Sequence, residues 1–398
     1  RRGVMKFGLG QAAPRVEDRR FLKGGGRYTD DINLPNQAWS HILRSPHAHA
    51  RICSIDIEAA RTAPGVLAVF TGADVASAGL GDMPCLAAKV APLKRPDGSP
   101  IFQPPRPALV MDKVAFVGDY VAFVVANSRD QARDAAELIE VDYEPLPVNV
   151  RTASAIGDEA PAVWEDCPDN ICFRMELGDK AAVAHAIESA DHVTRLKLPM
   201  NRVAINPMEP RAAVGSYDPF EDRYTLYSGN QFPHDMRNWL SESVLGVAES
   251  QIRIVSPDMG GSFGLRANIF PELPLVLWAA KKLNRPVKWT NERSDGILDE
   301  QARDMVMEVE LAVDKNGRFL ALRVQCLANM GAYLSNFGPL PAFGNLGGVA
   351  GVYQTPAIFG EVLGVFTNTS PTGPYRGAGR PEATSAIEQA IDLAAREL

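Results

Sequence analysis

The chain has 398 residues, 46% of them hydrophobic and 22% charged, and a formal net charge of -7 at neutral pH. This is ordinary globular composition, with length for two or three separate cores. The acidic balance, with no block of like charge, argues against a nucleic-acid groove, and no run approaches the roughly 20 apolar residues of a membrane-spanning helix.

At the start, Arg1-Arg2 lacks the apolar stretch that follows a twin-arginine signal and reads as a processed N-terminus. Residues 24–147 mix short strands with one βαβ-like unit. Within it, 114–126 is β-branched, aromatic and apolar, which predicts a buried strand pair about Gly118-Asp119. Ser128 then caps a helix running to Glu140, with Ala132, Ala135, Ala136 and Ile139 at helical spacing. The proline-punctuated segment 141–147 closes the unit. Residues 84–107, rich in proline, lysine and glycine, read as a long surface excursion.

A linker covers 148–169, and a larger α+β region follows. Its predicted elements are a helix over 178–190, a strand over 191–198 and a hairpin over 212–228 about Asp218-Pro219. Next come a helix over 234–245, a strand over 251–255 and a helix over 270–283. Asn316-Gly317 marks a hairpin between two long strands. The glycine- and proline-rich stretch 331–351 reads as a structureless loop, either lining a site, covering a partner or lying free on the surface. A last helix begins at Glu382 and continues to the end of the sequence without a glycine cap. The five cysteines, Cys53, Cys85, Cys167, Cys172 and Cys326, are odd in number and sparse, as expected of reduced thiols in a cytoplasmic protein. Their spacing fits neither a zinc site nor an iron–sulfur cluster.

The most informative stretch is Ser256-Pro257-Asp258-Met259-Gly260-Gly261-Ser262-Phe263-Gly264-Leu265-Arg266. A strand that breaks into such a turn and then a helix brings bare backbone close to something, and successive N–H groups can cradle oxygen atoms. It has neither the Lys-Ser/Thr of a P-loop nor the glycine order of a dinucleotide-binding turn. Three further motifs flank it: Asn201 to Arg211, Ser228-Gly229-Asn230-Gln231-Phe232-Pro233-His234, and Pro371 to Glu382 with its Tyr375-Arg376-Gly377-Ala378-Gly379-Arg380 core.

In this order and spacing the motifs resemble the large, molybdenum-binding subunit of the xanthine oxidase, aldehyde oxidase and carbon monoxide dehydrogenase family, from about Asp18 to the last residue. The resemblance implies an α+β fold with an α/β hammerhead domain over 18–147, the linker 148–169, and the first molybdopterin-binding domain over 170–398. It also implies oxidative hydroxylation of an aldehyde or N-heteroaromatic C–H, with water as the oxygen source. The implied cofactor is molybdenum–molybdopterin cytosine dinucleotide. [2Fe-2S] and FAD are expected on partner subunits only, since this chain has ligands for neither.

By the same resemblance, Gln231 and Arg376 serve catalysis. Gln231, Gly260, Gly261, Ser262, Phe263, Gly264, Arg376, Gly377 and Ala378 contact the cofactor, and the metal is held through the pterin with no direct protein ligand. The family's catalytic glutamate lies in the C-terminal half, so a partner chain carrying that half is expected beside the iron–sulfur and FAD subunits. Carbon monoxide dehydrogenases carry a copper-holding cysteine after the Tyr-Arg pair; here that position is Gly377, which disfavours carbon monoxide oxidation. Ile205 stands where the family usually has histidine, a departure that a non-catalytic assembly homologue would also accommodate. Glu209, between prolines, reads as structural, and Glu272 as a helix N-terminal charge.

Overall fold

A computed structural model describes residues 14–398, so Arg1-Arg2 lies outside the described residues. A seven-stranded sheet runs in the order Ile252–Val255, Arg223–Tyr227, Ala212–Asp218, Val287–Thr290, Ala38–Arg44, Tyr120–Ala126, Val66–Thr71. The last three strands come from residues 38–126 and the first four from residues 212–290. They join where Ala38, Trp39 and Ser40 pair in parallel with Val287, Lys288 and Trp289. One sheet is therefore continuous across the two segments. At the seam the buried Lys288 ammonium donates to the carbonyls of Asp30 and Ile32 and to Asn33 Oδ1, which satisfies a charge that burial would otherwise penalise.

Tyr120–Ala126 is buried at every position, and the Ser128 hydroxyl accepts from Gln131 N–H to start the helix Arg129–Ala136. The predicted strand pair about Gly118-Asp119 is not one pair. Lys113–Val114 joins a separate three-stranded sheet with Ala50–Asp56 and Glu140–Pro145, while Tyr120–Ala126 sits between Ala38–Arg44 and Val66–Thr71. The helix ends before Glu140 because that residue opens a strand.

The second sheet has five strands, ordered Ile171–Gly178, Ala357–Phe366, Phe319–Gly331, Gln301–Val313, His192–Ala204. Its central hairpin forms at the Asn316-Gly317 turn, as expected. His192–Ala204 outruns the predicted 191–198 because it pairs along the length of Gln301–Val313. One face packs on the helix Arg380–Glu397; the other carries ion pairs such as Lys197–Glu308 and Arg195–Glu310. Lys180–Ser189, capped by Asp179, starts later than predicted because Gly178 still belongs to a strand. The helix predicted at 234–245 is α over Pro233–Trp239 and widens to a π turn over Leu240–Leu245.

Two loop expectations are corrected. Residues 331–351 are not structureless: they contain the helix Leu340–Leu346, and Tyr333, Leu334, Ala342, Leu346 and Val349 are buried in the second core. Residues 84–107 are no free excursion either, since Cys85, Ala87 and Leu93 pack against that same core. Glycine and proline content signalled irregular backbone correctly but said nothing of burial, which depends on what the segment lies against. Cys53 is exposed and the other cysteines are free and buried; burial raises the thiols of Cys85 to about 11 and Cys326 to about 12, leaving them inert packing groups.

Candidate functional site

Arg223–Tyr227 and Ile252–Val255 are parallel neighbours at one edge of the seven-stranded sheet, and they end level, Tyr227 opposite Val255. Their following segments leave the sheet side by side, the arrangement that places ligand sites at strand carboxyl ends in open sheets. Ser228 N–H donates to Val255 O at 3.1 Å, Asn230 N–H to Ser256 Oγ at 3.1 Å, and Gln231 N–H to Arg266 O at 3.0 Å. The turn that follows is left-handed at Phe263, with φ 55°, and at Gly264, with φ 108°. A Cβ at Gly264 would lie 2.1 Å from Pro374 O, so only glycine lets the Arg376 loop pack there. That loop is tied on by Arg376 N–H donating to Phe263 O at 2.9 Å, then passes through left-handed Gly377, Ala378 and Gly379.

Together these segments wall an open cavity of about 360 Å³ lined by Gln231, Phe263, Gly264, Arg376, Gly377 and Ala378. Gly260, Gly261 and Ser262, expected as cofactor contacts, precede Phe263 in the turn and do not line this cavity. Gly260 N–H donates to Glu209 Oε2 at 2.7 Å, and the Ser262 hydroxyl meets Gln231 Oε1. Gln231 Oε1 also accepts from Gly264 N–H at 3.0 Å. With the amide oxygen engaged, the Gln231 Nε2 hydrogens are the free end, and they have no acceptor among the described residues. Phe263 is 47% exposed, and the Arg376 guanidinium lies 5.9 Å from its ring centroid. Among the described residues the Arg376 side chain has no hydrogen-bond or ion-pair partner.

Sequence reasoning missed the apolar part of the wall: Phe232, Ala267, Phe337, Leu340 and Tyr375. Phe232 and Tyr375 were legible as neighbours of Gln231 and Arg376. Phe337 and Leu340 come from the 331–351 segment, so part of that stretch does face the cavity; Phe337 meets Phe232 edge-on with centroids 6.0 Å apart.

Charged groups behind the wall act as clamps. Glu209 holds Gly260 N–H and pairs at 2.9 Å with Arg266, whose guanidinium also donates to Glu209 O at 2.8 Å. Arg266 is 2% exposed, and burial lowers its pKa despite Glu209. Glu209 is thus structural, as its proline flanks suggest. Asp258, just ahead of the turn, is gripped by Arg20 and by Arg27 N–H at 2.8 Å; the Arg20 hydrogen bond brings its carboxyl to about 2. Deeper, Arg211 pairs with Glu272 at 2.9 Å and Asp299 at 2.7 Å, Arg44 reaches Asp299 at 3.0 Å, and Tyr120 donates to Glu272 at 3.1 Å. Burial would raise the Asp299 carboxyl, but Arg211 and Arg44 outweigh it and hold it below its ordinary value. Glu272 does open the helix Glu272–Leu283, yet it is 1% exposed and its partners are side chains rather than solvent.

Residues 163–398 match the family model of the molybdopterin cofactor-binding domain, and residues 23–147 match the aldehyde oxidase and xanthine dehydrogenase a/b hammerhead domain. The chain belongs to this family of molybdenum-binding large subunits. It is 38% identical to the carbon monoxide dehydrogenase large chain of Afipia carboxidovorans, over 98% of this chain and 48% of that one. To the 6-hydroxypseudooxynicotine dehydrogenase complex subunit gamma of Paenarthrobacter nicotinovorans it is 36% identical, over 98% of this chain and 48% of that one. Among solved structures, quinoline 2-oxidoreductase from Pseudomonas putida 86 superposes with a TM-score of 0.89 at 35% identity, again covering 98% of this chain and 48% of the other. The chain therefore spans about half the length of these relatives.

Proposed function

We propose that this chain is half of the cofactor- and substrate-binding part of a molybdenum hydroxylase, and that Gln231 and Arg376 are its contribution to catalysis. The observation that carries the reading is the meeting of Gln231, Phe263 and Arg376, from three segments distant in sequence, on one cavity wall. The reaction is oxidative hydroxylation of an aldehyde or N-heteroaromatic C–H, with water as oxygen source.

The donors present fit an oxygen-rich group. On the cavity wall the Gln231 amide hydrogens and the Phe263 N–H have no acceptor among the described residues, nor do the N–H groups of Gly261 and Ser262 earlier in the same turn. Donors fixed beforehand stabilise charge on oxygen without reorganising. The cofactor proposed is molybdenum–molybdopterin cytosine dinucleotide, which when bound supplies the two-electron redox centre. Toward it, Gln231 donates a hydrogen bond from an amide whose orientation Gly264 and Ser262 set. Phe263 walls the site, and the glycine turn with Gly377 and Ala378 lets backbone approach closely. Arg376 presents a planar guanidinium able to orient a substrate carbonyl or carboxylate.

Carbon monoxide oxidation does not carry over from the Afipia relative, because Gly377 stands where the thiolate is needed and no cysteine lines the cavity. The catalytic glutamate belongs to the half of these large subunits that the chain does not cover, and iron–sulfur and FAD subunits take the electrons, in the cytoplasm. Among the described residues no helix is long and apolar enough to cross a membrane.

Elemental analysis of the natively purified complex tests the reading. Molybdenum with iron and without copper is expected; a fully assembled complex without molybdenum would sink it. Gln231→Ala and Arg376→Ala should each lower kcat/KM at least about tenfold in a folded protein, and full turnover in both would remove them from the site.

A further inference from the structure

The non-glycine residues with positive φ form two groups. Asn36, Asn170, Asp222 and Asn284 are short polar side chains, the kind that tolerates the left-handed region. The others are Phe263, Arg303 and Ala378, together with Asp304, itself short and polar but next to Arg303. Phe263 and Ala378 belong to the cavity wall. Arg303, with φ 65°, and Asp304, with φ 66°, lie consecutively inside the strand Gln301–Val313, where no turn demands them. Pairing with His192–Ala204 lapses at Asp304 and resumes in the same register, Arg303 opposite Arg202 and Met305 opposite Met200. Strain of this kind persists only where the surroundings over-determine it.

What holds the kink is the Asp304 carboxylate, which accepts from Arg202 Nε at 2.8 Å, Asn329 Nδ2 at 3.0 Å and the Thr152 hydroxyl. What the kink delivers is the Arg303 guanidinium. It pairs with Glu382 Oε1 at 2.5 Å and stands 5.3 Å over the Tyr375 ring. Tyr375 immediately precedes Arg376, and Glu382, 2% exposed, lies in the first turn of the helix that follows the loop. The start of the same strand holds the loop's approach, with Gln301 N–H donating to Pro371 O at 3.0 Å and Gly373 N–H to Gln301 O at 2.8 Å.

We propose that Arg303 is a positioning residue for Arg376: the strained strand aims one guanidinium at both ends of the 375–382 loop and so fixes Arg376 on the cavity wall. This rests on the role given to Arg376 above. Arg303 touches neither cofactor nor substrate; it acts through the loop.

Removing Arg303 alone strands a buried carboxylate, so the test uses the pair Arg303→Asn with Glu382→Gln in the natively assembled complex. Asparagine accepts the left-handed backbone and glutamine removes the charge. Expected are an unchanged melting midpoint, faster amide exchange across 375–379, and a fall in kcat of roughly tenfold to a hundredfold. In an Arg376→Ala background the pair should add no further loss, and Arg303→Lys, which keeps the charge beside Glu382, should recover part of the activity. Unchanged exchange across 375–379, or an equal fold-loss on top of Arg376→Ala, would overturn the proposal. Full turnover in Arg376→Ala alone would instead count against the functional reading, while the exchange data would still judge the pinning.

Discussion

Arg211 and Arg376 are opposite uses of the same side chain. Arg211 is buried: it donates to Glu272, lies against Asp299 slightly off the hydrogen-bond direction, and stacks 3.6 Å from the Phe270 ring centroid. Arg376 is exposed, held by its backbone N–H on Phe263 O, and its guanidinium has no hydrogen-bond or ion-pair partner among the described residues. A buried cation already paired with two carboxylates contributes to the seam of the fold and does not line the cavity where a ligand could meet it. One placed by its backbone alone keeps its capacity for an incoming carbonyl or carboxylate. Glu209 and Glu272 are likewise tied into ion pairs, Glu209 Oε2 with Arg266 and Gly260 N–H and Glu272 with Arg211 and Tyr120, and neither lines the cavity.

Substitutions can break this contrast. Arg211→Met should destabilise the fold most, by about 3–5 kcal/mol, because it leaves Glu272 and Asp299 buried without their shared cation; the denaturant midpoint measures it, and a loss below about 1 kcal/mol would mean the network is not the seam described. Next is Asp119, whose carboxyl burial lifts to about 6. The folded state then keeps this proton to higher pH than the unfolded chain does. Its contribution is full below about pH 4 and is lost as pH rises through about 6. Stability should fall by about 3 kcal/mol across that window, and Asp119→Asn should flatten the slope.

Phe263→Gly relieves a left-handed φ, so stability should stay within about 1 kcal/mol of the parent or rise, while molybdenum retained through purification drops. Retention at the parent level would separate Phe263 from cofactor binding. Smallest in stability is Arg376→Ala, within about 0.5 kcal/mol. Its effect belongs to turnover, and a large shift in melting temperature would place Arg376 in the Arg211 class after all.

Part of the candidate site was legible in the sequence. The Gly260–Gly264 turn and the loop after Arg376 stand out because their backbones need glycine, whereas Gln231 stood out through its motif's resemblance to the family; the fold brings Gln231, Phe263 and Arg376 to one cavity wall. Ser128 as a cap and Asn316-Gly317 as a turn were legible from local backbone needs as well. The aromatic wall from Phe337 was not, since nothing near that residue in sequence says which cavity it meets.

The sequence alone determined local conformation: where helices start, where the chain turns, and which loops carry glycines that admit close approach. These are short-range preferences of backbone and neighbouring side chains. Only the tertiary structure decided that Ala38–Arg44 pairs with Val287–Thr290 to make one sheet of two segments, that much of 331–351 is buried, and that a kink at Arg303 reaches Tyr375 and Glu382. Each depends on partners far away in the chain, whose pairing energy is set by burial and charge in the assembled core, and no local pattern encodes that environment.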